Sequence, residues 1–299
     1  MMIPKPYLLL LALVWCAVCP AREPDRVIEL WPELAPGETT REVGAALPRR
    51  EKEDPPATRI GGITQPRVMW YRPAGDAPPT GVVLILPGGG YNYVVADKEG
   101  SEVAEWLNSL GIAAGVVHYR TKRKEPGEQP LWVRPVQDGQ RAIRLVRQHA
   151  AEWGVPADRV AVMGFSAGGN AAGLLATRFN NPAYEPLDGA DEFSCRPDLC
   201  LLMYPWRLAD ESTGELNPEV TVTAETPQTF LVHAQDDSVT VFSSVAFFTA
   251  LKRHKVPGEL HVYARGGHGY GIRPVEDSEV DTWPARAEDW LRLQGWVRE

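Results

Sequence analysis

Short apolar runs alternate with longer stretches of helical periodicity along most of this chain. The apolar runs are typical of buried strands, and they fall at residues 68–71, 82–86, 112–117, 160–163, 199–203, 229–232 and 260–263. Apolar residues at spacings of three and four indicate helices at residues 101–110, 136–151, 167–177, 243–254 and 283–293. This alternation predicts an α/β fold, in which a mostly parallel, doubly wound sheet carries helices on both faces.

The first 65 residues depart from this pattern. Residues 1–21 begin with a basic residue, continue with a long apolar run and end in small residues before the first charged stretch. This pattern predicts a signal peptide and a secreted or periplasmic location. A lipid anchor at Cys16 or Cys19 remains an alternative, although bulky residues precede both. Residues 22–65 are rich in proline and lack periodicity, so we expect an extended segment that wraps a single domain formed by residues 66–299.

Composition narrows the range of partners. The 299 residues are 44% hydrophobic, which is enough for one large core. The net charge of −8 argues against nucleic acid or an anionic membrane as a partner. An exported chain could pair Cys195 with Cys200, but Cys200 lies in a predicted strand, where a buried free thiol fits equally well.

The most informative motif is the pentapeptide GFSAG at residues 164–168, between a predicted strand and a predicted helix. This order is typical of a nucleophile elbow, a tight turn that presents a serine at its tip. Ser166 is therefore the candidate nucleophile. The backbone amide of Ala167, which follows it, is a candidate donor to the oxyanion that forms when a serine attacks a carbonyl.

A serine hydroxyl needs an imidazole to take its proton, and the imidazole needs a carboxylate to orient it. His268, in a glycine-rich loop after the last predicted strand, is the candidate base. Asp236, in the polar loop after the strand at residues 229–232, is the preferred acid because it precedes the apolar Val239 by three residues. The neighbouring Asp237 remains a rival.

A glycine triplet follows the strand at residues 82–86, where exposed amides could complete an oxyanion hole. We therefore expect Gly89 and Gly90 to donate hydrogen bonds together with Ala167. No Gly-Lys-Ser/Thr sequence follows the glycines, and the histidines lack the spacing of metal ligands. The sequence therefore predicts no cofactor and no metal.

Several stretches together carry a resemblance to a known family: LPGGGY at 86–91, VAEWLNSLG at 103–111, DGQRAIR at 138–144, MGFSAGG at 163–169 and GGHG at 266–269. Over residues 66–299 the chain resembles the α/β-hydrolases, specifically bacterial esterases related to acetyl xylan esterases and dienelactone hydrolases. The resemblance implies a serine esterase without a cofactor that removes acetyl or feruloyl groups from a plant polysaccharide such as xylan. Tyr91 and Trp206 are candidates to stack on the sugar.

Three other functions stay open on the sequence alone. The chain could be a general short-chain carboxylesterase, or a peptidase similar to the prolyl oligopeptidases, whose catalytic domains share the order Ser, acid, His. A different class would be a carbohydrate-binding homologue without activity, because a fold does not guarantee a function.

Overall fold

The computed structural model of the chain describes residues 22–121 and 129–298. The predicted signal peptide, with Cys16 and Cys19, lies outside these residues. The strands of the described part are β1 (Arg26–Glu29), β2 (Val43–Ala46), β3 (Arg59–Ile63), β4 (Arg67–Tyr71), β5 (Val82–Leu86), β6 (Tyr93–Val95), β7 (Ala113–His118), β8 (Val160–Phe165), β9 (Leu199–Met203), β10 (Gln228–Ala234) and β11 (Gly258–Tyr263).

Eight of these strands form one sheet in the order β1-β4-β7-β5-β8-β9-β10-β11. The six strands from β7 to β11 in this order pair in parallel, while β1 and β4 run antiparallel to their neighbours. Strands β5, β8 and β9 are buried along their whole length because both faces of the sheet are covered.

The α-helices of the described part are α1 (Glu102–Ser109), α2 (Val133–Gln148), α3 (Ala150–Trp153), α4 (Ala167–Thr177), α5 (Phe242–Arg253) and α6 (Trp283–Leu293). Side chains from α2 to α5 form an apolar core on one face of the sheet, and α1 and α6 cover the other face. The predicted α/β fold with a mostly parallel sheet is therefore confirmed. None of the described helices is both long enough and apolar enough to span a membrane.

The segment before residue 66 contributes strands that the sequence did not indicate. Strand β1 adds an antiparallel edge to the main sheet, and β2 and β3 form a second, three-stranded sheet with β6. These strands are short, glycine-containing or polar, so they lack the apolar runs by which the other strands were recognised. Residues 22–65 are thus built into the fold, and the domain boundary at residue 66 remains a prediction.

Cys195 and Cys200 are both buried and free in the structure. The sulfur of Cys195 lies 3.3 Å from the carbonyl oxygen of Phe179, and that of Cys200 lies 3.9 Å from the carbonyl oxygen of Ala172. Burial raises the pKa of both thiols. The structure therefore agrees with the buried free thiol considered for Cys200.

A buried carboxylate fastens the N-terminal segment to α2 and to the loop after β7. Asp138, on α2, accepts hydrogen bonds from the backbone and side chain of Arg120 at 2.9–3.0 Å and from the indole of Trp31 at 2.9 Å. The side chains of Asp138 and Arg120 are fully buried. Because both charges are removed from water, loss of Asp138 leaves the buried Arg120 with only the more distant carboxylate of Glu38, at 3.8 Å.

We expect Asp138→Ala to lower the free energy of unfolding by about 3–5 kcal/mol, the usual cost of breaking a buried ion pair. Trp31→Phe removes a single hydrogen bond and should cost about 1 kcal/mol. Urea unfolding measures both. The exposed Asp158 provides the control, since Asp158→Ala should change stability by less than about 0.5 kcal/mol. A cost for Asp138→Ala no larger than that of the control would contradict the prediction.

Candidate active site

Ser166 occupies the turn between β8 and α4, with backbone angles of φ 52° and ψ −115°. A positive φ is unfavourable for a residue with a side chain, and such strain is found most often where function requires it. Here it projects the hydroxyl away from the turn, beyond the carboxyl ends of the parallel strands. In open α/β sheets, ligands bind at this edge.

His268 lies in the loop after β11, with its Nε2 2.8 Å from Oγ of Ser166. Its Nδ1 lies 2.9 Å from Oδ2 of Asp237, in the loop after β10. Hydroxyl, imidazole and carboxylate thus form one continuous chain of hydrogen bonds. The predicted Ser166 and His268 come together as a nucleophile and its base require.

The carboxylate that is hydrogen-bonded to His268 belongs to Asp237. The preference for Asp236 in the sequence analysis is therefore wrong. The other oxygen of Asp237, Oδ1, accepts a hydrogen bond from the N–H of Val239 at 2.7 Å. This local turn of the backbone directs Oδ2 toward His268. Asp236 is exposed and instead accepts the N–H of Gly267 at 2.9 Å. Two adjacent aspartates therefore support the histidine loop, one through the imidazole and one through the backbone.

His233, on β10, contacts the carboxylate of Asp237 from inside the protein. It is fully buried, with Nε2 3.5 Å from Oδ2 of Asp237 and 3.0 Å from the carbonyl oxygen of Val239. Its Nδ1 lies 2.8 Å from the hydroxyl of Ser244. Burial acts to raise the pKa of Asp237, but hydrogen bonds from His233 and His268 outweigh it and hold the pKa below its usual value. Asp237 is therefore kept ionised.

The glycine loop after β5 lies beside Ser166, and Gly89 and Gly90 line the same cleft as Ser166 and His268. Gly89 has φ 137°, and a Cβ there would lie 1.9 Å from the carbonyl oxygen of Tyr93, so only glycine fits. Ala167 begins α4, where the first N–H groups have no partner within the helix. The assignment of these three amides as oxyanion donors stays a prediction.

The cleft that contains Ser166 has a volume of about 440 Å³, within the range usual for small-molecule sites. Trp206 forms part of its wall and also borders an adjacent cleft of about 600 Å³. Tyr91 is buried and lines only the adjacent cleft, and its hydroxyl donates to the side-chain oxygen of Asn170 at 2.7 Å. Sugar stacking by Tyr91 and Trp206 stays a prediction.

A residue that the sequence analysis missed connects three of these loops. Glu99 precedes α1 and is 2% exposed. One carboxylate oxygen accepts the N–H of Gly88 at 2.7 Å, and the other accepts the hydroxyl of Tyr204 at 2.7 Å. The same hydroxyl accepts the N–H of Gly271 at 2.9 Å. Glu99 thus joins the glycine loop, the end of β9 and the loop that carries His268.

The pKa of Glu99 is raised, because burial disfavours the charged form more than the hydrogen bonds from Tyr204 and Gly88 favour it. The ring of Tyr204 also packs edge-on against His268, with ring centres 5.1 Å apart. An acidic residue just before a helix usually faces solvent, where it interacts favourably with the helix dipole. The sequence therefore offered no signal that this one points into the protein.

Among residues 22–121 and 129–298, no group of three or more histidine, cysteine, aspartate or glutamate side chains is placed to hold a metal ion.

Two family models match successive parts of the chain. The BD-FAE family model matches residues 70–197, which include the glycine loop and Ser166. The model of the prolyl oligopeptidase family matches residues 205–292, which include Asp237 and His268. A solved structure, the acetyl ester-xyloside bifunctional hydrolase of Caldicellulosiruptor lactoaceticus, is 29% identical with a TM-score of 0.69, and the match covers 94% of this chain and 100% of that one.

An alpha/beta hydrolase enzyme from a deep-sea metagenome library of the Medee basin is 26% identical, with a TM-score of 0.60 and coverage of 77% of this chain and 91% of that one. The chain is an α/β-hydrolase that resembles acetyl ester hydrolases.

Curated relatives of this hydrolase include an acetylxylan esterase of Xylanibacter ruminicola, 27% identical over 65% of this chain and 42% of the relative. Endo-1,4-beta-xylanase B of Butyrivibrio fibrisolvens is 31% identical over 64% of this chain and 32% of the relative. The matched regions thus span less than half the length of these two relatives.

We expect Asp237→Asn to lower kcat on an aryl acetate by about 10⁴-fold, because the imidazole loses the carboxylate that fixes its tautomer. Asp236→Asn is the matched control, since it weakens one exposed contact to a backbone amide and should cost about fivefold. Steady-state kinetics of the two purified variants make the comparison. A larger loss in Asp236→Asn than in Asp237→Asn would overturn the assignment.

Glu99→Gln should lower kcat by about 100-fold with little change in KM. Glutamine has only one side-chain oxygen, so its NH₂ group must face either the Gly88 N–H or the Tyr204 hydroxyl, and the lost hydrogen bond shifts the adjoining loop. Tyr204→Phe retains the Gly88 contact and should lower kcat less. Kinetics on an aryl acetate together with thermal unfolding test this. Loss of stability in both variants with unchanged kcat would reduce Glu99 to a purely structural residue.

Proposed function

We propose that this hydrolase is a serine esterase that removes acetyl groups from acetylated sugars, with acetylated xylan as the favoured polymer. The observation that carries the proposal is the hydrogen-bonded chain from Ser166 through His268 to Asp237, with distances of 2.8 and 2.9 Å. Export, predicted from residues 1–21, belongs to the same proposal because a secreted enzyme would meet a plant polymer outside the cell.

The proposed reaction uses the hydrogen-bonded Ser166, His268 and Asp237. Oγ of Ser166 attacks the ester carbonyl carbon while Nε2 of His268 takes the hydroxyl proton. The amides of Gly89, Gly90 and Ala167 accommodate the negative charge on the carbonyl oxygen. His268 then returns the proton to the departing sugar oxygen, which leaves an acetyl group on Ser166. Water, whose proton His268 takes, then attacks the carbonyl carbon of this acyl-enzyme. Acetate is released and the proton returns to Oγ of Ser166.

The substrate class rests on two supports, the names of similar proteins and an aromatic side chain at the cleft. The acetylxylan esterase and the acetyl ester-xyloside hydrolase that resemble this chain act on acetylated or xylose-containing compounds according to their names. Trp206 supplies an aromatic surface at the cleft, and such surfaces suit sugar rings. A deferuloylating activity is the alternative acyl specificity within the same proposal.

A second candidate, a peptidase, is favoured by the match of residues 205–292 to the prolyl oligopeptidase family. That match covers the loops of the acid and the base, which ester and amide hydrolysis use in the same way. The two functions differ in the leaving group, so a prolyl aryl amide included beside the ester substrates separates them.

We predict that the parent enzyme releases acetate from acetylated xylan and cleaves an aryl acetate faster than an aryl butyrate. Ser166→Ala should lower all of these activities by about 10⁶-fold. The matched control is Ser109→Ala, at an exposed position on α1, which should behave as the parent. Coupled acetate detection and aryl alcohol release provide the readouts.

Cleavage of aryl esters without acetate release from xylan would instead establish a general short-chain carboxylesterase. Cleavage of the prolyl amide in preference to the esters would establish the peptidase. A parent that cleaves none of these compounds would contradict the proposal in favour of an inactive homologue.

A further inference from the structure

One wall of the catalytic cleft is cationic, although the chain as a whole carries a net charge of −8. Arg50, Arg59 and Lys98 line this wall together with Glu53. We refer to these four residues as the cationic wall. Three of them come from the segment before residue 66, so the N-terminal segment contributes directly to the cleft that contains Ser166.

The charges within the wall do not cancel. Arg59 and Lys98 share one carboxylate, that of Glu53, at 2.7 and 3.2 Å. Hydrogen bonds from Arg59 and Lys98, the former the stronger, outweigh partial burial and lower the pKa of Glu53 to about 2, so it is ionised at neutral pH. Because Arg59 and Lys98 share the single negative charge of Glu53, these three residues carry a net positive charge of one, without Arg50.

Arg50 adds a second positive charge at the mouth of the cleft. Its Nη2 donates to the hydroxyl of Tyr93 at 2.9 Å, which fixes the end of the side chain. Within residues 22–121 and 129–298, no carboxylate oxygen lies within 4 Å of its guanidinium. The remaining N–H groups of Arg50 are thus free for an acceptor that enters the cleft.

Arg59 lies deeper in the wall than Arg50. Nε of Arg59 is buried and makes no hydrogen bond to any residue that the structure describes. Arg59 itself is 6% exposed. Arg59 therefore adds positive charge to the wall and holds Glu53 in place, while the exposed Arg50 supplies the accessible N–H groups.

The wall is held in place by the second sheet. Arg59 on β3 pairs in register with Val95 on β6, and Gly61 pairs with Tyr93. The guanidinium of Arg59 lies 5.9 Å from the centre of the Tyr93 ring. Because strand pairing sets these positions before a ligand arrives, binding needs little further ordering of the side chains.

Glu99 faces the same cleft, but both of its oxygens are already engaged by Gly88 and Tyr204. It therefore offers little competition for the guanidinium groups. The planar fork of an arginine matches a carboxylate, which it binds through two parallel hydrogen bonds.

From this arrangement we propose that the cationic wall is a subsite for a carboxylate carried on the alcohol side of the ester, as in an acetylated uronic acid. The sugar part of this proposal rests on the proposed function. The carboxylate part does not, because any acetyl ester with an acidic alcohol would present the same group beside Ser166.

Two matched substrate pairs test the proposal. The sugar pair is an acetylated methyl glucuronide and the corresponding acetylated methyl glucoside, which differ only in the carboxylate. The aryl pair is 4-acetoxybenzoate and its methyl ester. For each pair, the measured quantity is the ratio of kcat/KM for the anionic substrate to kcat/KM for the neutral one, in the parent enzyme and in each variant.

We expect Arg50→Ala to lower this ratio about fivefold, the effect of losing one exposed ion pair. Arg50→Lys, which keeps the charge, should restore part of it. The matched control is Arg49→Ala, at the neighbouring exposed position outside the cleft, which should leave the ratio as in the parent. Added sodium chloride should lower the ratio in the parent, because salt screens exposed charges.

A ratio in Arg50→Ala equal to that of the parent in both pairs would overturn the subsite. The same holds for a fall in the ratio in Arg49→Ala as large as that in Arg50→Ala. If the sugar pair is not cleaved but the aryl pair shows the expected change, the sugar specificity of the proposed function fails and the carboxylate subsite stands. If both pairs are cleaved without any effect of Arg50, the subsite alone fails.

Discussion

The strained turn at Ser166 is the constraint on which the rest of the site depends. Its conformation is enforced by close packing, because a Cβ at Gly168 would lie 1.9 Å from the carbonyl oxygen of Leu86 at the end of β5. The turn is also bonded to the strand on its other side, since the N–H of Ser166 donates to Met203 at 3.0 Å. A strained non-glycine residue costs about 1–3 kcal/mol, and contacts with both neighbouring strands offset that cost. They also set where the nucleophile stands relative to the glycine loop.

Around this fixed point, separate loops must hold their positions without a shared helix or strand. Glu99 meets that need through one carboxylate, which binds the glycine loop by the Gly88 N–H and reaches the histidine loop through the hydroxyl of Tyr204. His233, on β10, holds Asp237 in a comparable way. Buried polar groups with satisfied hydrogen bonds favour one arrangement of the loops, and a reaction that needs atoms at hydrogen-bond distance benefits from such rigidity.

The sequence predicted the central fold well because burial on both faces leaves continuous apolar runs, as in β5 and β9, which match their predicted bounds. It missed β2 and β3, whose short and glycine-containing sequences resemble loops. The nucleophile and the base lie in local motifs that can be recognised in the sequence. The choice between Asp236 and Asp237 depended instead on a turn closed by the backbone N–H of Val239, and hydrophobic periodicity does not encode such a contact between side chain and backbone. Glu99 and Arg50 were missed for a different reason: their partners are distant in sequence.

The most direct test of the account is to locate the covalent adduct that an organophosphate ester such as paraoxon leaves on the enzyme, by mass spectrometry of its peptides. The reagent reacts with a serine only when a neighbouring base activates it. The account predicts a single diethylphosphoryl group on Ser166, formed much more slowly in His268→Ala and absent from Ser166→Ala. An adduct on another residue, or equal labelling in His268→Ala, would contradict the central claim that Ser166 is a nucleophile activated by His268.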